Sequence, residues 1–281
     1  MDRADLAMAV SGAPHVLVVA GSDSSGGAGL ARDVETISAF GLRTCLAVTA
    51  VTVQTHVGVD RIEPMPANLI AEQMRAAFAA NAIRAIKIGM LGAEEAIAAM
   101  AAVLRLHRQV PAVLDPVLAA SSGRALLPDT AIGAMKHELM PLCALVTPNL
   151  IELAILTGSE PASHEPATLR QGHMLLKAGC NAVLVKGGHA GGVEAADLLL
   201  RPDQVPMRFA APRLAGTMRG TGCMLASAIA AHLAAEGEMD SVDEAVRQAK
   251  RYVFERYAAA TTPGDNNVLP QRNPSEGGHL T

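Results

Sequence analysis

The segment Arg219-Gly220-Thr221-Gly222-Cys223 stands directly before a long run of helix-forming residues. Its two glycines allow a tight turn in which successive N–H groups point one way. The start of the helix adds partial positive charge, so Gly220, Thr221 and Gly222 would form a cradle for an anion. In a phosphoryl transfer such a cradle stabilises the charge on the moving group. Cys223 closes the loop. A thiol at a helix N-terminus has a lowered pKa, and its thiolate can take the proton of an attacking alcohol. Plain readings stay open beside these: a loop-to-helix turn, and a cysteine acting as a small apolar side chain.

Other reactive types fall just after short apolar runs. Asp115-Pro116 follows one and Asn149 another, with Glu152 three residues on. Asn149 and Glu152 have the spacing of a capping box. The same carboxylate, with Asp115, could order Mg²⁺ beside ATP. Lys186, followed by two glycines, could reach phosphates as a point charge. Gln54 ends a β-branched run, and its amide both donates and accepts, which suits an aminopyrimidine edge. The Gly21–Gly29 stretch is not GxGxxG in register, and no acidic residue ends the second strand to bind a ribose. Cys45, Cys143 and Cys180 show no metal spacing and are expected to be ordinary reduced thiols.

These residues need a scaffold that brings strand ends together. Residues 15–20, 44–53, 85–88, 112–114, 142–146 and 182–185 read as strands. Helices are expected over 30–40, 66–80, 94–107, 130–139, 150–156, 168–178, 221–235 and 242–260, with two antiparallel strands near 196–200 and 207–211. Strand-helix alternation throughout predicts an α/β fold: a doubly wound, mostly parallel sheet with helices on both faces. One domain over residues 1–281 is expected, with loosely packed ends at about 1–13 and 263–281. Ligands in such sheets bind at the carboxyl ends of the strands, where the reactive residues lie.

Composition narrows the function classes. Half of the 281 residues are hydrophobic, and only 2% are aromatic, as expected of an aliphatic core around a buried parallel sheet. A net charge of -4, no basic run and few aromatics argue against nucleic acid. No apolar stretch is long enough to span a membrane and no signal peptide is recognised, so a cytoplasmic protein is expected.

Taken in order, AGSDSSGGAG, ARDVET, VQTHVGV, KIGML, LDPV, VTPNLIE, VLVKGGH and GTGC resemble the phosphomethylpyrimidine kinases of the ribokinase-like superfamily. The resemblance runs from about residue 15 to about residue 235. It implies ATP- and Mg²⁺-dependent phosphorylation of 4-amino-5-hydroxymethyl-2-methylpyrimidine and then of its monophosphate, on the way to thiamine. Gln54 would bind the pyrimidine edge, with Gly21, Ala28, Met90, Val117 and Asp33 in the substrate pocket. Cys223 would be the base, and Gly220, Thr221 and Gly222 the anion hole. Lys186, Asp115, Asn149 and Arg219 would serve ATP and its phosphates, and Glu152 with Asp115 the metal. A homodimer is implied as well.

The chain departs from the family pattern at three places. Thr55-His56 stands where NT is usual, Ser121-Ser122 where KS is usual, and Gly216-Thr217-Met218-Arg219 where KNTH is usual. His56 is expected at the pocket rim. A pyridoxal kinase of the same superfamily and a non-catalytic pyrimidine-binding regulator remain as alternative functions.

Overall fold

Residues 15–22 carry an unbroken apolar run, which both faces of a central strand require. In the computed structural model, which describes residues 14–120, 123–188, 192–236 and 242–261, this run is β1 (His15–Ser22) at the heart of a nine-stranded sheet. The expected ends at 1–13 and 263–281 lie outside the described residues, as do Ser121, Ser122 and His189.

The other strands are β2 (Arg43–Gln54), β3 (Val59–Pro64), β4 (Ile83–Ile88), β5 (Ala112–Leu114), β6 (Leu145–Val146), β7 (Val183–Val185), β8 (Glu194–Leu200) and β9 (Met207–Pro212). Their spatial order is β3-β2-β1-β4-β5-β6-β7-β8-β9. From β2 to β7 the neighbours pair in parallel, while β3, β8 and β9 are antiparallel additions at the two edges. β3 was not expected. Asp60, Arg61 and Glu63 make its sequence read as a loop, and as an edge strand it tolerates those charges.

Side-chain alternation divides the core in two. Leu17 and Val19 face a layer built from α2 (Ala67–Ala80), α3 (Glu94–Leu106), α4 (Asp129–Ala134), α5 (Leu150–Thr157) and α6 (Glu165–Lys177). Val16 and Val18 face α1 (Gly29–Ala39), α7 (Thr221–Glu236) and α8 (Val242–Thr261). The expected ribokinase-like α/β architecture is therefore the observed one. The polypeptide leaves β1, β4, β5, β6 and β7 at the same edge of the sheet, because these strands run parallel. Every reactive residue singled out at a strand end is delivered to that edge.

Candidate active site

Asp115, Lys186 and Glu152 arrive at this edge from β5, β7 and the start of α5. Lys186 Nζ donates to Asp115 Oδ1 at 2.5 Å and lies 3.8 Å from Glu152 Oε2. Thr147 Oγ1 donates to Asp115 Oδ1 at 3.3 Å. Asn149 and Glu152 form the expected capping box: Asn149 Oδ1 accepts the N–H groups of Ile151 and Glu152, and Glu152 Oε2 accepts that of Asn149. Burial pushes the Glu152 carboxyl up to about 7, against the attraction of the Lys186 ammonium. Burial opposes the charge on Lys186, but Asp115 and Glu152 outweigh it and the net shift is upward.

The glycine loops close over this group. Gly220 has φ +74°, and a Cβ there would collide with the Gly27 carbonyl. A Cβ on Gly222 would stand 3.3 Å from Lys186 Nζ and 3.6 Å from Asp115 Oδ2. The first turn of α7 thus sits directly against the Lys186–Asp115 pair, with its leading N–H groups at a helix start. Behind Lys186, the Gly187 N–H donates to Asp197 Oδ1 at 2.9 Å, and Lys250 Nζ of α8 donates to Asp197 Oδ2 at 2.6 Å.

The residues expected to receive the acceptor gather around the ends of β1 and β2. A Cβ on Gly21 would meet Met90 Sδ at 2.9 Å, so the bare backbone and that thioether share one wall. Met90 is itself held by Thr49, whose hydroxyl donates to the Met90 carbonyl at 2.6 Å. Gln54 is half-buried, and its main chain is fixed by a reciprocal pair of 2.8 Å bonds with the Ser24 hydroxyl. Val117 is half-buried just beyond Asp115.

Three expectations are corrected. Asp33 has no exposed surface: it is ion-paired with Lys87 at 2.8 Å and bonded by Ser227 at 2.8 Å, so it cannot contact a ligand directly. Arg219 does not turn toward the phosphate group of residues. Its guanidinium reaches Ser25 Oγ at 3.1 Å, the Thr55 carbonyl at 3.2 Å, His56 Nδ1 at 3.4 Å and Asp23 Oδ2 at 3.6 Å. Finally, the Cys223 thiol is not lowered. Burial pushes it up to about 11, with Lys87 and the Gly29 N–H pulling the other way. The helix terminus loses to desolvation.

Comparison with known proteins follows the same line. The pattern described as phosphomethylpyrimidine kinase matches residues 23–271. The chain belongs to that family. This kinase is 43% identical over 245 residues to the hydroxymethylpyrimidine/phosphomethylpyrimidine kinase of Rhizobium meliloti, covering 87% of this chain and 90% of that one. It superposes on the phosphomethylpyrimidine kinase of Clostridium difficile with a TM-score of 0.74 and 34% identity, over 87% of this chain and 99% of the other. A pyridoxal kinase from Staphylococcus aureus, in complex with AMP-PCP and pyridoxal, matches the kinase at a TM-score of 0.77 and 28% identity, with 87% of each chain covered.

Four residues of the kinase escaped sequence reasoning. Lys87 lies within the KIGML motif but reads as a surface lysine, because its partner Asp33 is distant in the chain. Asp197 and Lys250 give no local signal. Ser25 sits in the glycine loop and reads only as turn chemistry, although Asp23 Oδ1 accepts both its N–H and its hydroxyl. His56, the departure expected at the pocket rim, stands exposed beside Arg219. No helix among the described residues is long and apolar enough to cross a membrane.

Proposed function

We propose that the protein transfers the γ-phosphoryl group of ATP to the hydroxymethyl oxygen of 4-amino-5-hydroxymethyl-2-methylpyrimidine, and then to the phosphate of the monophosphate. The observation that carries this reading is the meeting of three things at one sheet edge: the Gly220–Gly222 turn, the Lys186–Asp115 pair and the close packing of Met90 on the bare backbone of Gly21. The names of the relatives and the nucleotide analogue bound by the staphylococcal neighbour support it.

Each residue then has a task. Gln54 offers a donor and an acceptor to the aminopyrimidine edge, while Gly21, Ala28, Met90 and Val117 enclose the ring. Cys223, as its thiolate, accepts the proton of the hydroxymethyl group as that oxygen bonds to phosphorus and the bond to ADP breaks. The N–H groups of Gly220, Thr221 and Gly222, with Lys186, hold the negative charge of the group in flight. Asn149 fixes the start of α5 and so the direction of the Glu152 carboxylate.

The residues fit Mg²⁺ carried on the nucleotide. Asp115 and Glu152 supply two carboxylates, and among the described residues no group of three or more His, Cys, Asp or Glu could hold a metal alone. Mg²⁺ is commonly held through one or two carboxylates plus substrate phosphates. When bound, it would neutralise charge on the phosphate oxygens. The family resemblance also carries a cytoplasmic location and a homodimer, and sedimentation of the purified protein tests the dimer.

Coupled ADP release with the pyrimidine alcohol, its monophosphate and pyridoxal as acceptors tests the assignment. The two pyrimidines should give the higher kcat/KM, and a preference for pyridoxal would overturn it. Cys223→Ala should lower kcat by about 10²- to 10⁴-fold with KM little changed. Unchanged turnover would remove Cys223 from the base role.

A further inference from the structure

Lys87 is the largest fully buried side chain of the described residues, with no exposed surface. A lysine is rarely buried unless its charge is paired. Lys87 projects from β4 and donates to Asp33 Oδ2 at 2.8 Å, and Asp33 is equally inaccessible. The other carboxylate oxygen, Asp33 Oδ1, accepts the Ser227 hydroxyl at 2.8 Å. Ser227 lies one helical turn beyond Cys223 on α7, on the same helix face. α7 packs directly over β4. The chain Lys87–Asp33–Ser227 therefore anchors an ammonium beneath the first turn of α7, on the side that carries Cys223. Room is kept for it by Gly89, where a Cβ would stand 2.8 Å from Lys87 Nζ. An ammonium has three donors, and Asp33 engages one of them.

We infer that Lys87, held in place by Asp33 and Ser227, is a positioning residue that supplies fixed positive charge to Cys223 and stabilises its thiolate during proton transfer. The inference rests on the reading of Cys223 as the base. The charged and titratable groups that act on the thiol are Lys87 from β4, Asp33 from α1, Asp115 after β5 and Lys186 after β7, with the Gly29 N–H donating to it. Of these, Lys87 pulls the thiol down most strongly, while the carboxylates of Asp33 and Asp115 push it up together with burial. As the substrate oxygen bonds to phosphorus, its proton passes to the Cys223 sulfur. The Lys87 ammonium lowers the cost of the thiolate that receives it, against the burial that holds the resting thiol protonated.

The test reads the thiol directly and needs no turnover. Iodoacetamide alkylation of Cys223 in the full-length protein is followed against pH by mass spectrometry, with half-buried Cys45 as internal control. Lys87→Met should slow alkylation of Cys223 by about three-fold for each unit by which the thiol pKa rises, the loss of thiolate being partly offset by its greater nucleophilicity. The Cys45 rate should not change. Lys87→Met leaves Asp33 buried and unpaired, so the double variant Lys87→Met/Asp33→Asn, which removes both charges, is measured beside it. It should also slow Cys223, by a smaller factor. An unchanged or faster reaction in the double variant would overturn the inference, because a purely structural role predicts a loosened, more accessible thiol. The base role of Cys223 stands or falls separately on the turnover of Cys223→Ala.

Discussion

The two sides of the candidate site are built in opposite ways. On the phosphate side, Asp115, Lys186, Glu152 and Asn149 come from strand ends and a capped helix, and short bonds among buried groups join them. On the acceptor side, the 2.8 Å Ser24–Gln54 pair joins the glycine loop to the end of β2, and one half-buried arginine adds longer contacts of 3.1 to 3.6 Å. The buried Oδ2 of Asp23 there accepts no hydrogen bond among the described residues. The first arrangement is preorganised, as stabilisation of a transferring phosphoryl group requires. The second is made mostly of loop residues, and binding residues are disproportionately on loops positioned by a rigid scaffold.

The comparison predicts unequal costs. Among variants that separate the two sides, Lys186→Met should be the most damaging, lowering kcat by about 10²- to 10³-fold. Steady-state kinetics reads this, with a thermal melt to check that the fold persists. A loss no larger than that of an acceptor-side variant would break the contrast.

Glu152 should give the next largest effect, and its sign follows from burial. Its carboxyl is raised to about 7, so it is protonated below that value and charged above it. Apparent Mg²⁺ affinity should therefore strengthen as pH rises from about 6 to about 8, since the cation competes with the proton for one group. Glu152→Gln should flatten that dependence and weaken Mg²⁺ by about ten-fold or more. A titration of activity against Mg²⁺ at several pH values measures both, and an unaltered slope in the variant would exclude Glu152.

Arg219→Ala should have the smallest effect. Its contacts are long and partly solvated, each worth a fraction of about 1 kcal/mol, so KM for the acceptor should rise about five-fold with kcat nearly intact. Should kcat instead fall as far as in Lys186→Met, the acceptor side would have to be reclassified as part of the phosphoryl-transfer apparatus.

Much of this was legible before any coordinates. The strand-end residues are readable because a parallel sheet delivers every strand's carboxyl end to one edge. The Asn149–Glu152 cap is readable because its partners are three residues apart. What could not be read depends on contacts between distant segments. Asp33 looks like a ligand contact until Lys87, 54 positions further on, is seen beside it. The Cys223 shift has the wrong sign in the sequence because helix position is local information and burial is not. β3 is hidden by its charges, which only an edge location permits. Arg219 belongs to the glycine-loop cluster through partners 163 to 194 residues away, a pairing that no local pattern encodes.

The Asp197–Lys250 pair has a further consequence. It ties the last helix, α8, to the Gly187 N–H, and Gly187 admits no side chain because a Cβ would run into the Ala196 carbonyl. The lysine proposed to meet the phosphates is therefore braced by α8, the last described helix. The strand end that carries Lys186 and the helix α8 are thereby mechanically joined, so a change at Lys250 can reach Lys186 through Asp197 and the Gly187 N–H.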